Sequence, residues 1–332
     1  MTILLNLVLL LAGFVLLIKG ADYFVDGSSA VAQKFKIPGV VIGLTIVAMG
    51  TSAPELAVSI SAALTGSNEI AISNVMGSNI FNLVLIFGIC AVIAPVSVDR
   101  NIMKRDFPFS AGLSVLLAVL ISDIVISGRE VISESGKQVS GSISRIDAMI
   151  LIVIFVAYIV FTVVLALKNR TQEEKKADLS SIKCVIYILG GIAAIVIGGQ
   201  LVVNSAKQIA YAFNMTETLV GLTIVAVGTS LPELVTSAVA SRKGQSGIAA
   251  GNIIGSNVFN ILFILGVSAF IHPITVLTES LYDCIVLIAF NIIVYIFAAT
   301  GKKLDRKEGA VMIGVYVLYM IYAVCRGMGW LA

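Results

Sequence analysis

Apolar residues recur along this chain in runs near the 20-residue length a helix needs to cross a hydrocarbon core roughly 30 Å thick. The runs are continuous, without the every-second-residue alternation of a barrel strand, so they read as helices. Ten spans are expected, at about 3–25, 39–64, 70–94, 107–126, 147–167, 182–205, 217–240, 248–271, 281–299 and 309–329. The longest polar link, Lys168–Lys183, divides them into two sets of five. The first apolar stretch, Leu4–Ile18, has neither a basic segment before it nor a small-residue cleavage site after it. It reads as part of the first span and not as a removable signal.

Comparing the chain with itself adds the strongest constraint. Residues 43–56 (GLTIVAMGTSAPEL) and 221–234 (GLTIVAVGTSLPEL) match at twelve of fourteen positions, at an offset of 178. The same offset aligns residues 73–82 (SNVMGSNIFN) with 251–260 (GNIIGSNVFN), six of ten matching. The halves are therefore duplicated: residues 1–167 form a first five-helix repeat, 168–183 a linker and 184–332 a second repeat. Because five is odd, the second repeat enters the membrane from the opposite side. The expected fold is an all-α polytopic membrane protein. Its ten transmembrane helices form two inverted five-helix repeats, with broken helices meeting near the bilayer midplane, an architecture of secondary transporters.

Composition agrees. Of 332 residues, 58% are hydrophobic and 12% charged, with a mean hydropathy of +1.05. A soluble domain carries about twice that charge, so a soluble globular protein is excluded. A net charge of +3 without a long basic run gives no basis for nucleic-acid binding. The Gly-rich stretches lack a P-loop lysine, so ATP is not expected. Cys90, Cys184, Cys284 and Cys325 lack CxxC spacing and read as buried apolar thiols. Sixteen Lys and Arg residues lie in the links after odd-numbered spans and five in those after even-numbered spans or at the C-terminal end. That bias makes the odd-side links cytoplasmic, the central linker among them, and both termini external. Lys19 and Asp22, three apart, are spaced to pair locally.

The chemistry concentrates where the repeat is most similar. Pro54 has no N–H and crowds the carbonyl of Gly50, while Ala53 is pushed from helical dihedrals. The helix is expected to break there, freeing carbonyls around Ala48–Gly50, and again around Ala226–Gly228 before Pro232. Freed carbonyls inside a membrane need a partner, such as a cation or water. Glu55 and Glu233 lie within apolar spans, where an ionised group costs roughly 3 kcal/mol or more. No Lys or Arg shares their segments, so a metal cation or a proton is the natural counter-charge. Thr51 lies four residues before Glu55, and Thr229 four before Glu233; Ser78 with Asn82 and Ser256 with Asn260 share the same spacing on the neighbouring spans. Two carboxylates, hydroxyls, amide oxygens and carbonyls without His or Cys form an oxygen set suited to hard cations such as Na+ and Ca2+.

These residues resemble the cation/calcium exchanger superfamily, the sodium/calcium exchangers and their prokaryotic relatives. The resemblance rests on paired G-T-S-x-P-E and G-S-N-x-x-N motifs, here Gly50–Glu55 with Gly77–Asn82 and Gly228–Glu233 with Gly255–Asn260. It implies that spans 2, 3, 7 and 8 form a central diamond of ion sites, past which spans 1 and 6 slide. It implies Glu55 and Glu233 as central Ca2+ ligands. Thr51, Ser52, Thr229, Ser230, Ser78 and Ser256 supply further oxygens, and the carbonyls of Ala48 and Ala226 serve flanking Na+ sites. Some relatives carry Asp at the end of the second motif, a residue linked to K+ use; here both copies end in Asn, Asn82 and Asn260.

The expected function is Na+/Ca2+ antiport by alternating access in the plasma membrane, with the cations as substrates and no cofactor. Ca2+/H+ antiport using the same glutamates is the alternative. An intramembrane hydrolase has little basis, since neither Ser52 nor Ser230 has a His or Lys base nearby in sequence. The broken inverted repeat argues for a carrier over a passive channel.

Overall fold

The computed structural model describes residues 3–66, 68–98, 101–129, 131–133, 138–168, 179–213, 226–301 and 303–328. The main helices are α1 (Ile3–Phe35), α2 (Gly39–Thr51), α3 (Ala53–Leu64), α4 (Glu69–Ile93), α5 (Phe107–Leu120) and α6 (Arg145–Lys168). They continue as α7 (Ser181–Ala212), α8 (Leu231–Arg242), α9 (Ser246–Ile271), α10 (Thr278–Gly301) and α11 (Arg306–Gly327). Among the described residues seven helices are long and apolar enough to cross a membrane, or eight if α2 and α3, bent by 48° at their junction, form one span. The fourth expected span is the 14-residue α5 behind a π-helical turn at Ile102–Asp106. The seventh is described only from the short helix Ala226–Gly228 into α8; its first part, 217–225, lies outside the described residues, as do linker residues 169–178.

Burial sorts the helices. The apolar windows of α4 and α9 are 72% and 83% buried, against 17–28% for α1, α6, α7, α10 and α11. The first two form the centre. The others turn large apolar side chains outward, among them Leu11, Val153, Ile182 and Leu318, as a lipid-facing surface requires.

Helices α1 and α7 run past the expected spans, with 33 and 32 residues, or about 50 Å each at 1.5 Å per residue. Mutual packing sustains the extra turns. Gly13, Gly20 and Gly27 on α1 recur every seventh residue, opposite Gly198, Gly191 and Cys184 on α7. A Cβ at Gly20 would lie 3.0 Å from the Gly191 carbonyl oxygen, and one at Gly13 2.9 Å from that of Gly198. Small residues let the two backbones touch, the usual means of tight packing between membrane helices. Asp22 does not pair with Lys19. Its carboxylate reaches Lys243 at 3.3 Å and Arg242 at 3.7 Å, because the end of α8 packs beside α1, and Lys243 also holds Asp26 at 2.7 Å.

The fold is overwhelmingly helical, with short strands added in the links. Among the described residues five short strands occupy the links: β1 (Val96–Ser97), β2 (Val131–Ile132), β3 (Gln138–Ile143), β4 (Ile274–Leu277) and β5 (Lys303–Leu304). β1 pairs with β5, and β3 pairs with both β2 and β4, all antiparallel. Links that leave helical geometry must satisfy their backbone groups elsewhere. Here β1–β5 and β3–β4 each join a link from the first half of the sequence to one from the second. Cys90, Cys184 and Cys284 are free and buried as expected, while Cys325 is half-buried.

Candidate functional site

The site forms where the two helix breaks face the centre. In the first copy, Ser52 leaves helical geometry (φ −82°, ψ 11°), with Pro54 in the opening turn of α3. In the second, Ser230 (φ −90°, ψ 8°) precedes Pro232 in the opening turn of α8. Glu55 and Glu233 therefore sit in the first turns of half-helices, where the positive end of the helix dipole favours a carboxylate. Both are completely enclosed by protein, 1% and 0% exposed.

The break is more economical than expected. The Ala48 carbonyl is not freed, because it accepts the Ser52 N–H at 3.0 Å and lies 3.3 Å from Thr51 Oγ1. Gly50 still loses its usual donor, since Pro54 has no N–H. Ala226 opens the short helix before the second break.

Each carboxylate is held from the opposite repeat copy. Ser52 Oγ donates to Glu233 Oε1 at 2.6 Å, and Ser230 Oγ donates to Glu55 Oε1 at 2.9 Å. Ser52 Oγ lies 3.1 Å from Ser256 Oγ, and Ser230 Oγ lies 3.0 Å from Ser78 Oγ. Thr51 Oγ1 donates to Asn252 Oδ1 at 3.1 Å, and Thr229 Oγ1 to Asn74 Oδ1 at 3.5 Å. Asn252 in turn donates to Ser237 at 2.9 Å, and Asn74 to Ser59 at 3.1 Å. Each of these contacts in one half has its counterpart 178 residues away in the other. The structure thus brings together Glu55, Glu233, Thr51, Ser52, Thr229, Ser230, Ser78 and Ser256.

Asn82 and Asn260 lie beside this cluster and bond across the halves: Asn82 Nδ2 donates to Asn257 Oδ1 at 3.2 Å, and Asn260 Nδ2 to Asn79 Oδ1 at 3.0 Å. Both sit at π-helical turns, Phe81–Ile86 and Asn260–Ile264. Such turns are often found at functional sites. Among the described residues of these motifs, four acceptor oxygens are left buried without a hydrogen-bond partner: Glu55 Oε2, Glu233 Oε2, Asn82 Oδ1 and Asn260 Oδ1. They are two symmetric pairs. A buried polar atom without a partner is expensive, and four acceptors without donors suit a cation.

Asn74, Asn79, Asn252 and Asn257 join the site beyond the residues expected from the motifs. Their signal was present, since each is identical in the two repeat copies. No group of three or more His, Cys, Asp or Glu residues placed to hold a metal occurs among the described residues. The oxygen set is carried by two carboxylates and neutral groups.

Comparison with known proteins places these features in context. Residues 5–164 and 183–325 match the family model described as sodium/calcium exchanger protein. The chain is 35% identical to the sodium/calcium exchanger MaX1 of Methanosarcina acetivorans, over 95% of this chain and 97% of that protein. It is 32% identical to the inner membrane protein YrbG of Escherichia coli, over 94% of each. Its fold superposes on the sodium-calcium exchanger NCX_Mj, soaked with Na+ and Sr2+, with a TM-score of 0.81 and 31% identity over 96% of this chain and 99% of that one.

Proposed function

The chain belongs to the sodium/calcium exchanger protein family, a family of membrane exchangers, and we propose that it exchanges Na+ for Ca2+ at a site centred on Glu55 and Glu233. The observation that carries this reading is the crossed carboxylate pair. Each glutamate has one oxygen held by the other copy's serine and one oxygen buried without a partner. Two ionised carboxylates place about two negative charges in a nearly neutral enclosure. One Ca2+ balances them, and so do two Na+, so the two cations compete for one set of oxygens. Thr51, Ser52, Ser78 and their counterparts Thr229, Ser230 and Ser256 complete the oxygen shell with the amide oxygens of Asn82 and Asn260. The Ala48 carbonyl, with one lone pair left beside its amide bond, and the Ala226 carbonyl serve flanking Na+ sites.

In this reading the chain has ten spans in two inverted five-helix repeats, residues 1–167 and 184–332, with the 168–183 linker cytoplasmic and both termini outside. The protein lies in the plasma membrane. The breaks at Ser52 and Ser230 meet at the midplane, and the site opens alternately to either side. Coupling follows from charge: a site with uncompensated carboxylates is costly to move through the closed state, so the protein turns over only when loaded. The superposition on a solved sodium-calcium exchanger at 31% identity supports this arrangement.

Proteoliposomes loaded with Na+ and diluted into Na+-free medium containing Ca2+ test the coupling. Ca2+ uptake that collapses with a Na+ ionophore is the expected result. Uptake driven only by a pH gradient would keep the site and replace Na+ by H+ as the coupling ion.

A further inference from the structure

Four buried asparagines form a closed set across the contact between α4 and α9. Asn79 Nδ2 donates to the Asn257 carbonyl at 3.4 Å, and Asn257 Nδ2 donates to the Asn79 carbonyl at 3.2 Å. That reciprocal clasp engages one N–H of each amide and orients their Oδ1 atoms. Those oxygens then accept the Nδ2 groups of Asn260 and Asn82 at 3.0 and 3.2 Å. All four side chains are at most 2% exposed, and what remains unpartnered is Asn82 Oδ1 and Asn260 Oδ1.

The polarity of this chain has a direct consequence. A primary amide offers an acceptor at one end and donors at the other. Turned by half a revolution, Asn82 or Asn260 would present N–H groups to a cation and repel it. We propose that Asn79 and Asn257 are positioning residues that lock the amides of Asn260 and Asn82 oxygen-inward. Each repeat copy thereby orients a cation ligand belonging to the other. The inference rests on the reading of Asn82 and Asn260 as cation ligands and adds the device that holds them. It also ties ligand orientation to the register of α4 against α9: sliding either helix breaks the clasp and releases both amides. Ion release by separating this pair is thus disfavoured, and the pair travels as one unit.

A carboxylate provides the discriminating test, because it presents oxygen whichever way it turns. Ca2+ affinity would be measured by calorimetry on the purified protein in detergent for Asn82→Leu, Asn257→Leu, Asn82→Asp and the double variant Asn82→Asp/Asn257→Leu, with thermal unfolding of each. Asn257→Leu is expected to weaken Ca2+ binding by about tenfold or more, the usual effect of losing a group that orients a metal ligand. The double variant is expected to bind like Asn82→Asp alone, because the carboxylate no longer needs orienting. A second loss of similar size in the double variant, or wild-type affinity in Asn257→Leu, would overturn the proposal. Wild-type affinity in Asn82→Leu would remove Asn82 from the ligand set and overturn the proposal together with that part of the functional reading. Should Asn257→Leu fail to fold, the mirror pair Asn79→Leu and Asn260→Asp carries the same test.

Discussion

Gly255 lies at a close backbone approach between the site's two copies. It sits on α9, one residue before Ser256 and three after Asn252. A Cβ there would stand 2.7 Å from Leu44 Cα, 2.8 Å from the Leu44 carbonyl oxygen and 2.9 Å from Ala48 Cβ. Two of those neighbours are backbone atoms, so no rotamer change relieves the contact. Restoring ordinary spacing of 3.4 Å requires α2 and α9 to part by about 0.7 Å. The Ser52–Ser256 and Thr51–Asn252 contacts, both 3.1 Å, would stretch to about 3.8 Å, beyond hydrogen-bond reach. Overpacking costs about 1–3 kcal/mol and each lost hydrogen bond about 0.5–1.5 kcal/mol. Gly255→Ala should therefore lower the unfolding temperature clearly and weaken Ca2+ binding by about tenfold, equivalent to about 1.4 kcal/mol. Thermal unfolding and calorimetric Ca2+ titration in detergent measure both. Gly314→Ala on α11 is the control, since a methyl there meets nothing within 4 Å and helix propensity favours Ala by about 0.5–1 kcal/mol. Wild-type stability and Ca2+ affinity in Gly255→Ala would refute the close approach on which the site geometry depends.

Three further outcomes are expected. Gly191→Ala places a methyl 2.8 Å from the Gly20 carbonyl oxygen while its neighbour Gly190 has open space, so the first should lower the unfolding temperature and Gly190→Ala should not; equal shifts would contradict the α1–α7 seam. Ser52→Ala and Ser230→Ala each remove one hydrogen bond to a buried carboxylate, worth about 1.5–3 kcal/mol, and should reduce Ca2+ transport in proteoliposomes by similar factors; a silent change in either would break the symmetry argument. Lys243→Ala removes contacts to Asp22 and Asp26 that are partly exposed, so its cost should stay below about 1 kcal/mol and shrink in high salt; a larger, salt-independent drop in unfolding temperature would contradict this.

Much of this architecture is legible in the chain because its signals are local. Pro54 and Pro232 lie deep inside long apolar runs, where a helix cannot pass them unbroken, and Glu55 and Glu233 are conspicuous in the same runs. The reach of α1 to Phe35 and α7 to Ala212 is not legible, since polar residues such as Asp26 and Lys207 end the apolar count while packing continues the helix. The π-helical turns at Phe81–Ile86 and Asn260–Ile264 leave no compositional mark, being one wide turn inside an apolar helix. Asn79 and Asn257 stand in the repeated motif, but residue type alone does not separate a ligand from the group that orients it. Only the bond directions across α4 and α9 make that distinction. The strand pairs β1–β5 and β3–β4 depend on links far apart in sequence and carry no local alternation long enough to register.

The central claim is that Glu55 and Glu233 together hold a cation for which Na+ and Ca2+ compete. Equilibrium Ca2+ binding to the purified wild-type protein, titrated beside Glu55→Gln and Glu233→Gln and repeated in high Na+, tests it most directly. Saturable Ca2+ binding in the wild type, displaced by Na+, is expected, with loss of that binding in both variants while they still unfold cooperatively. Wild-type Ca2+ affinity in either glutamine variant would contradict it.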